Sequence, residues 1–158
     1  DPNKVYVRAI PTNRPLEFAW RIYLPKGFDY YEILTLGKGE FPSMRRDSPL
    51  LEAKEYVVRA NLRQYDQIYS LEVSGAVPKI EVVSESEKLP KVESIRQLLD
   101  PQFASITQLG HGQTMEVSVD NKTRIELLDI RINSNFASQE EQGIARYALL
   151  PPPLRKSR

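Results

Sequence analysis

A chain of 158 residues is sized for one domain and can bury roughly two-thirds of the surface that its unfolded form exposes, enough for a core without metal or disulfide. Hydrophobic residues make up 41% and charged residues 27%, as in an ordinary globular fold, and 22 Lys and Arg against 21 Asp and Glu leave no cationic excess of the kind nucleic-acid binding needs. Cysteine is absent, which excludes disulfides, thiolate metal sites and cysteine nucleophiles.

No apolar run is long enough to span a bilayer, and a start at Asp1 rather than Met is what a mature or trimmed domain would show. Twelve prolines against seven glycines lean towards a secreted or envelope β-domain with stiff corners.

Lys4 to Ile10 alternates Val5, Val7 and Ala9 against Tyr6, Arg8 and Ile10, and Pro11 to Pro15 supplies a stiff turn. In Leu16 to Leu24 the residues Leu16, Phe18, Trp20, Ile22 and Leu24 share one parity, while Glu17, Ala19, Arg21 and Tyr23 share the other. Side chains alternate across a pleated strand, so this pattern predicts a strand with one face in a core, anchored by the only tryptophan. Pro25-Lys26-Gly27 is a turn signal, and a third strand follows over Phe28 to Leu36. Phe41 to Leu51 has two prolines and no period, which predicts a long loop with apolar pegs.

Lys54 to Arg63 sets Tyr56, Val58, Ala60 and Leu62 on one face, and Gln67 to Ser74 does the same with Tyr69, Leu71 and Val73. With Gln64 to Asp66 as the turn, the pair reads as an antiparallel hairpin. Lys79 to Ser84 is a short strand. Glu85 to Lys91 is the most polar stretch, where a linker or exposed crossover would fall, and the domain, taken as 1–150, would divide near there, at 84–92, if it had two parts.

Glu93 to Leu99 spaces Ile95, Leu98 and Leu99 by three and four and ends at Asp100-Pro101, which predicts the one short helix. Gln102 to Leu109 suits a helical face or a strand equally, and Gly110-His111-Gly112 is a loop. Gln113 to Val119 and Thr123 to Asn133 then resemble the arms of a second hairpin, with Asp120-Asn121-Lys122 as the turn and Met115, Val117 and Val119 facing the core. A parity change between Ile125/Leu127 and Leu128/Ile130/Ile132 predicts a bulge near Leu127 or a strand buried on both faces. Ser134 to Gln142 is turn-like, Gly143 to Leu150 is the last strand, and residues 151–158 are a Pro-rich basic tail. Nine or ten strands with one helix predict an all-β antiparallel β-sandwich, with a closed barrel as the alternative.

Candidate sites are few. The sole histidine, His111, would need a partnered nucleophile to act as a base; Ser105, Thr114 and Ser118 are near it only in sequence, and its ordinary reading is an exposed turn residue. Metal is limited to a hard-oxygen site at Asp120, Asn121 and Asp129, for which turn chemistry is the simpler account, so no metal or cofactor is expected. Glu17, Glu32, Glu72 and Glu126 lie on predicted strands and could pair as glycosidase carboxylates, but read first as a solvated face. Arg45-Arg46-Asp47 and the outward Arg21, Arg59 and Arg63 could hold an anion, or else form surface ion pairs. The densest aromatic group is Phe28, Tyr30 and Tyr31 with Tyr23 nearby, the best candidate for a ligand-stacking face and otherwise ordinary half-buried strand residues.

The segment from Phe18 to Tyr30 resembles an R-W-R-x-Y-L-P-x-G motif of uncharacterised bacterial extracytoplasmic domains. Trp20, Arg21, Tyr23, Leu24, Pro25 and Gly27 match and Ala19 replaces the first arginine. The resemblance implies an extracytoplasmic location and carries no activity. The sequence thus leads to a non-catalytic structural or protein-interaction module, serving a protein partner or its parent assembly. The alternatives are a carbohydrate-binding module using Tyr23, Phe28, Tyr30 and Tyr31, and a hydrolase using His111 or paired carboxylates.

Overall fold

The computed structural model describes residues 3–14, 16–36, 44–65, 68–85, 104–120, 122–132 and 143–152. They form eleven strands: β1 (Lys4–Ile10), β2 (Glu17–Tyr23), β3 (Tyr30–Leu36), β4 (Met44–Leu51), β5 (Glu55–Tyr65), β6 (Ile68–Ser74), β7 (Ile80–Glu85), β8 (Ala104–Gln108), β9 (Thr114–Ser118), β10 (Ile125–Ile132) and β11 (Gly143–Leu150). Two antiparallel sheets face one another, one in the order β7-β6-β5-β2-β1-β9 and the other β4-β3-β11-β10-β8. This is a β-sandwich, not a closed barrel. The predicted helix at 93–99 lies outside the described residues, as does most of the polar stretch at 85–91. Both sheets combine strands from before and after that stretch.

The period-two pattern places its apolar side inward as expected. Val5 and Val7 of β1, Phe18, Trp20 and Ile22 of β2, Tyr56, Val58, Ala60 and Leu62 of β5, and Tyr69, Leu71 and Val73 of β6 are buried in one core. Leu34 and Leu36 of β3, Ile125, Leu128 and Ile130 of β10, and Ala145, Tyr147 and Leu149 of β11 meet them from the second sheet. Each fully buried Val, Leu or Ile contributes about 1.5–3 kcal/mol of transfer free energy. Trp20 is wholly buried and packs on Tyr147 across the interface, ring centroids 5.5 Å apart at 52°.

The parity change in β10 is a bulge. Its register against β11 shifts between Glu126 and Leu128, which lets Leu127 and Leu128 both be buried.

Two expectations fail. The stretch from Met44 to Leu51 is a strand, not a loop, because an edge position tolerates what a central strand cannot. Its register against β3 shifts between Tyr31 and Ile33. Pro49 has no N–H to give the ladder there, and at the same irregularity the Ser48 hydroxyl oxygen, not a ladder carbonyl, accepts the Glu32 N–H at 2.7 Å. The segments around Asp120 are likewise not a hairpin, since β9 pairs with β1 in one sheet and β10 with β8 and β11 in the other. Asp120 does close a local turn, its Oδ1 accepting the Lys122 N–H at 2.8 Å, but that turn carries the chain between sheets. The ambiguous 102–109 stretch is strand from Ala104 onward.

The chain also changes sheet after β8, at Leu109 and Gly110. The Leu109 N–H bonds the Leu127 carbonyl at 2.9 Å, the Leu109 carbonyl accepts the Trp20 Nε1–H at 3.1 Å, and the Gly110 carbonyl accepts the Ala9 N–H at 3.3 Å. Gly110 has φ +81°, and a Cβ there would lie 3.0 Å from the Ala9 nitrogen and 3.2 Å from the Val7 oxygen. The corner is therefore tied to β1, β2 and β10 at once, and it presents the following turn to the outer edge of β1.

Candidate binding groove

The outer face of the six-stranded sheet is built in cross-strand rows. One row runs Thr114, Arg8, Arg21, Val57 across β9, β1, β2 and β5; its neighbour runs Glu116, Tyr6, Tyr23, Glu55. The Tyr6 and Tyr23 rings lie 6.1 Å apart at 50°, and with Arg8, Arg21, Glu55 and Thr114 they line a shallow hollow of about 280 Å³.

Beyond Arg8, a groove of about 680 Å³ opens between the end of β1 and the turn after β8. Arg8, Thr12, Arg14, Gln108, His111 and Gln113 line it. Arg14 and Glu17 also border a third hollow of about 450 Å³ that reaches Arg59, Asn61 and Arg63 on β5. The groove adjoins the tyrosine hollow at Arg8 and Thr114 and the third hollow at Thr12, Arg14 and Glu17.

The turn itself is fixed. The Thr12 hydroxyl donates to the Glu17 carbonyl at 2.5 Å, and the Glu17 N–H bonds the Arg14 carbonyl at 3.2 Å. On the other wall, the His111 and Gln113 N–H groups bond the Gln108 and Gly110 carbonyls. His111 is exposed in this turn.

The charges are unevenly matched. Lys4 pairs with Glu116 at 3.2 Å, Arg21 with Glu55 at 3.3 Å, Arg59 with Glu17 at 3.5 Å and Lys79 with Glu72 at 3.6 Å. Arg8 and Arg14, both exposed, have no carboxylate partner among the described residues. Arg8 also stands directly opposite Arg21 in the ladder, where like charges repel.

The expected aromatic face is dispersed. Tyr23 is 38% exposed on the outer face of the six-stranded sheet; Tyr30 is buried in the core; Tyr31 is half-buried on the outer side of the other sheet, and Phe28 packs against the core. Only Tyr23 belongs to the groove region, and its neighbour is Tyr6.

The carboxylates divide similarly. Glu17 and Glu72 lie on the outer face of the six-stranded sheet and are each ion-paired, while Glu126 faces out from the other sheet against Arg124 at 2.6 Å and Arg146 at 2.8 Å. Asp129 pairs with Arg131 at 2.9 Å, and Arg45 clasps Asp47 through two bonds of 2.9 and 3.1 Å. Among the described residues no cluster of His, Asp or Glu could hold a metal ion.

Glu32 overturns its solvated reading, because it is wholly buried inside the sandwich. Its Oε2 accepts a hydrogen bond from the Tyr147 hydroxyl, while its Oε1 is buried without a hydrogen-bond partner. Burial pushes the Glu32 carboxyl above its ordinary range, opposed in part by the Tyr147 bond, and burial with the facing carboxyl raises the Tyr147 phenol well above its own.

No family model, curated protein or solved structure matches the chain.

Arg8, Arg14 and Thr12 were not distinguished in the sequence. The available signal was Arg8's outward parity beside a proline-bounded turn. Its meeting with His111 depends on the β1–β9 pairing, between segments about a hundred residues apart.

Proposed function

We propose that this chain is a non-catalytic interaction module that docks a protein partner, or a neighbouring part of its parent assembly, on the outer face of the six-stranded sheet. The observation that carries the reading is a run of three concavities, the groove adjoining one hollow at β1 and the other at the 11–14 turn, lined by arginine, tyrosine, amide and hydroxyl groups. Those groups bind and orient. A hydrolytic site would need a nucleophile held by a base, and His111 has no side-chain hydrogen bond with any described serine or threonine. The resemblance of Phe18 to Tyr30 to bacterial extracytoplasmic domains supports an extracytoplasmic setting.

Site-specific photo-crosslinking in the native host tests the reading. A crosslinker replacing Thr114, which borders both the groove and the tyrosine hollow, should yield a discrete protein adduct; one replacing Thr107, exposed on the other sheet, should not. Equal labelling from both positions, or none from Thr114, overturns it.

The tilted Tyr6–Tyr23 pair favours a second reading, a carbohydrate site of the kind in which tyrosine rings stack on sugar faces. A glycan array that stays blank with the wild-type chain removes this reading, and glycan binding unaffected by Tyr23→Ala moves it elsewhere.

A further inference from the structure

We infer that the occupant of the groove is an acidic segment of a partner protein, lying along β1 with one carboxylate held at Arg8 and another between Arg14 and His111. The inference rests on the interaction reading above and adds the chemistry of the partner.

Three observations point the same way. Arg8 and Arg14 lack carboxylate partners among the described residues, although Lys4, Arg21, Arg59 and Lys79 of the same face are paired and Arg63 bonds the Tyr65 hydroxyl. Arg8 and Arg21 are directly opposite across β1 and β2, and the nearby carboxylates are engaged elsewhere, Glu55 with Arg21 at 3.3 Å, Glu17 with Arg59 at 3.5 Å and Glu116 with Lys4 at 3.2 Å. An anion at Arg8 relieves that repulsion and forms charge-assisted hydrogen bonds with the guanidinium. Thirdly, the groove adds the neutral amides of Gln108 and Gln113 and the hydroxyls of Thr12 and Thr114, which suit the carbonyls and N–H groups of a peptide main chain.

The same face argues against a nucleic acid. Glu116, Glu55 and Glu17 border the concavities, so evenly spaced phosphates running over this surface would meet carboxylates in alternation with arginines. Separate carboxylates on a peptide can be spaced to avoid them.

The test uses fluorescence anisotropy of the whole chain with short labelled peptides alternating Asp with Ser, Asn with Ser, or Lys with Ser, together with a single-stranded DNA oligonucleotide. The Asp peptide should bind, weaken as salt rises from about 0.05 to about 0.3 M, and lose on the order of tenfold in affinity with Arg8→Ala and more with Arg8→Ala combined with Arg14→Ala. Arg131→Ala, on the opposite sheet, should leave it unchanged, and circular dichroism of each variant checks that it is folded. Equal binding of the Asp and Asn peptides, indifference to the arginine substitutions, or equal binding of the oligonucleotide overturns the acidic assignment. Absence of peptide binding overturns it as well. The interaction reading fails separately, through the Thr114 crosslink, so an adduct there with no acidic preference would retain the docking surface and discard its charge chemistry.

Discussion

Tyr147 donates its hydroxyl hydrogen to the carboxyl of Glu32 in the middle of the sandwich, where neither side chain reaches solvent. The two stand on adjacent strands, β11 and β3, and the same tyrosine packs its ring on Trp20 of the opposite sheet. A charged carboxylate with one oxygen unpaired is costly in such surroundings, so burial raises the Glu32 pKa in the fold, opposed in part by the Tyr147 bond. Because folding raises the pKa, the folded chain holds a proton at pH values where the unfolded chain has released it. Linkage then gives a stability that is fully present below the ordinary value of 4.5 and declines as pH rises through the folded-state pKa. Glu32→Gln removes that dependence while keeping the shape. Urea midpoints of the two proteins should stay parallel in acid and diverge above about pH 5 in favour of the variant; a constant difference across the series would show that Glu32 does not titrate in this way.

Tyr147→Phe keeps the ring contact with Trp20 and deletes the one donor to the carboxyl. The expected loss is about 1–3 kcal/mol by urea unfolding, the range for leaving a buried polar group unsatisfied. The hydrogen bond opposes the effect of burial, so its removal should also extend the pH-dependent decline to higher pH. Combining Tyr147→Phe with Glu32→Gln should give a change that departs from the sum of the two separate changes, since both act on one interaction.

The reason Glu32 escaped the sequence is visible in its strand. Tyr30, Glu32, Leu34 and Leu36 share a parity, but so do Tyr31, Ile33 and Thr35, and both series are largely apolar. A strand with sheet neighbours on each side and both faces covered offers no contrast from which to choose the inward side. Where one face meets water, as in β2 and β5, alternation was legible down to the burial of Trp20, Val58 and Leu62. The bulge at Leu127 was legible for the same reason, as a break in that alternation. Pairing between strands was not. Asp120 carries the chemistry of a tight turn whether the next strand returns beside the last one or crosses to the other sheet, and β4 hid behind the charges and the proline that an edge strand accepts. The groove followed from pairing rather than pattern, so it could not be read before β9 was placed against β1.

Gly110→Ala tests the corner that carries the groove wall. The substitution must adopt φ +81° and place a methyl group 3.0 Å from the Ala9 nitrogen, against backbone that is itself part of a ladder. A loss above about 1 kcal/mol is expected. Gly112, two residues on, has a similar φ of +79° with open space around its Cβ position, so Gly112→Ala carries the backbone strain alone and should cost less. Equal losses by urea unfolding would mean that the contact with β1 contributes nothing.

Trp20→Ala should be the most damaging single change of those considered. It empties a wholly buried site at the contact between the sheets, for which about 3–5 kcal/mol is the usual loss, and it leaves the Leu109 carbonyl without its Nε1–H donor. Because Leu109 sits at the sheet-changing corner, the substitution should loosen the turn at His111 as well as the core. Trp20→Phe separates the two effects, refilling much of the volume without the hydrogen bond. It should recover a large part of the stability, while amide exchange at Leu109 and Gly110 stays faster than in the wild-type chain. A loss below about 1 kcal/mol for Trp20→Ala, measured by circular dichroism in urea, would contradict the packing of the indole between the sheets.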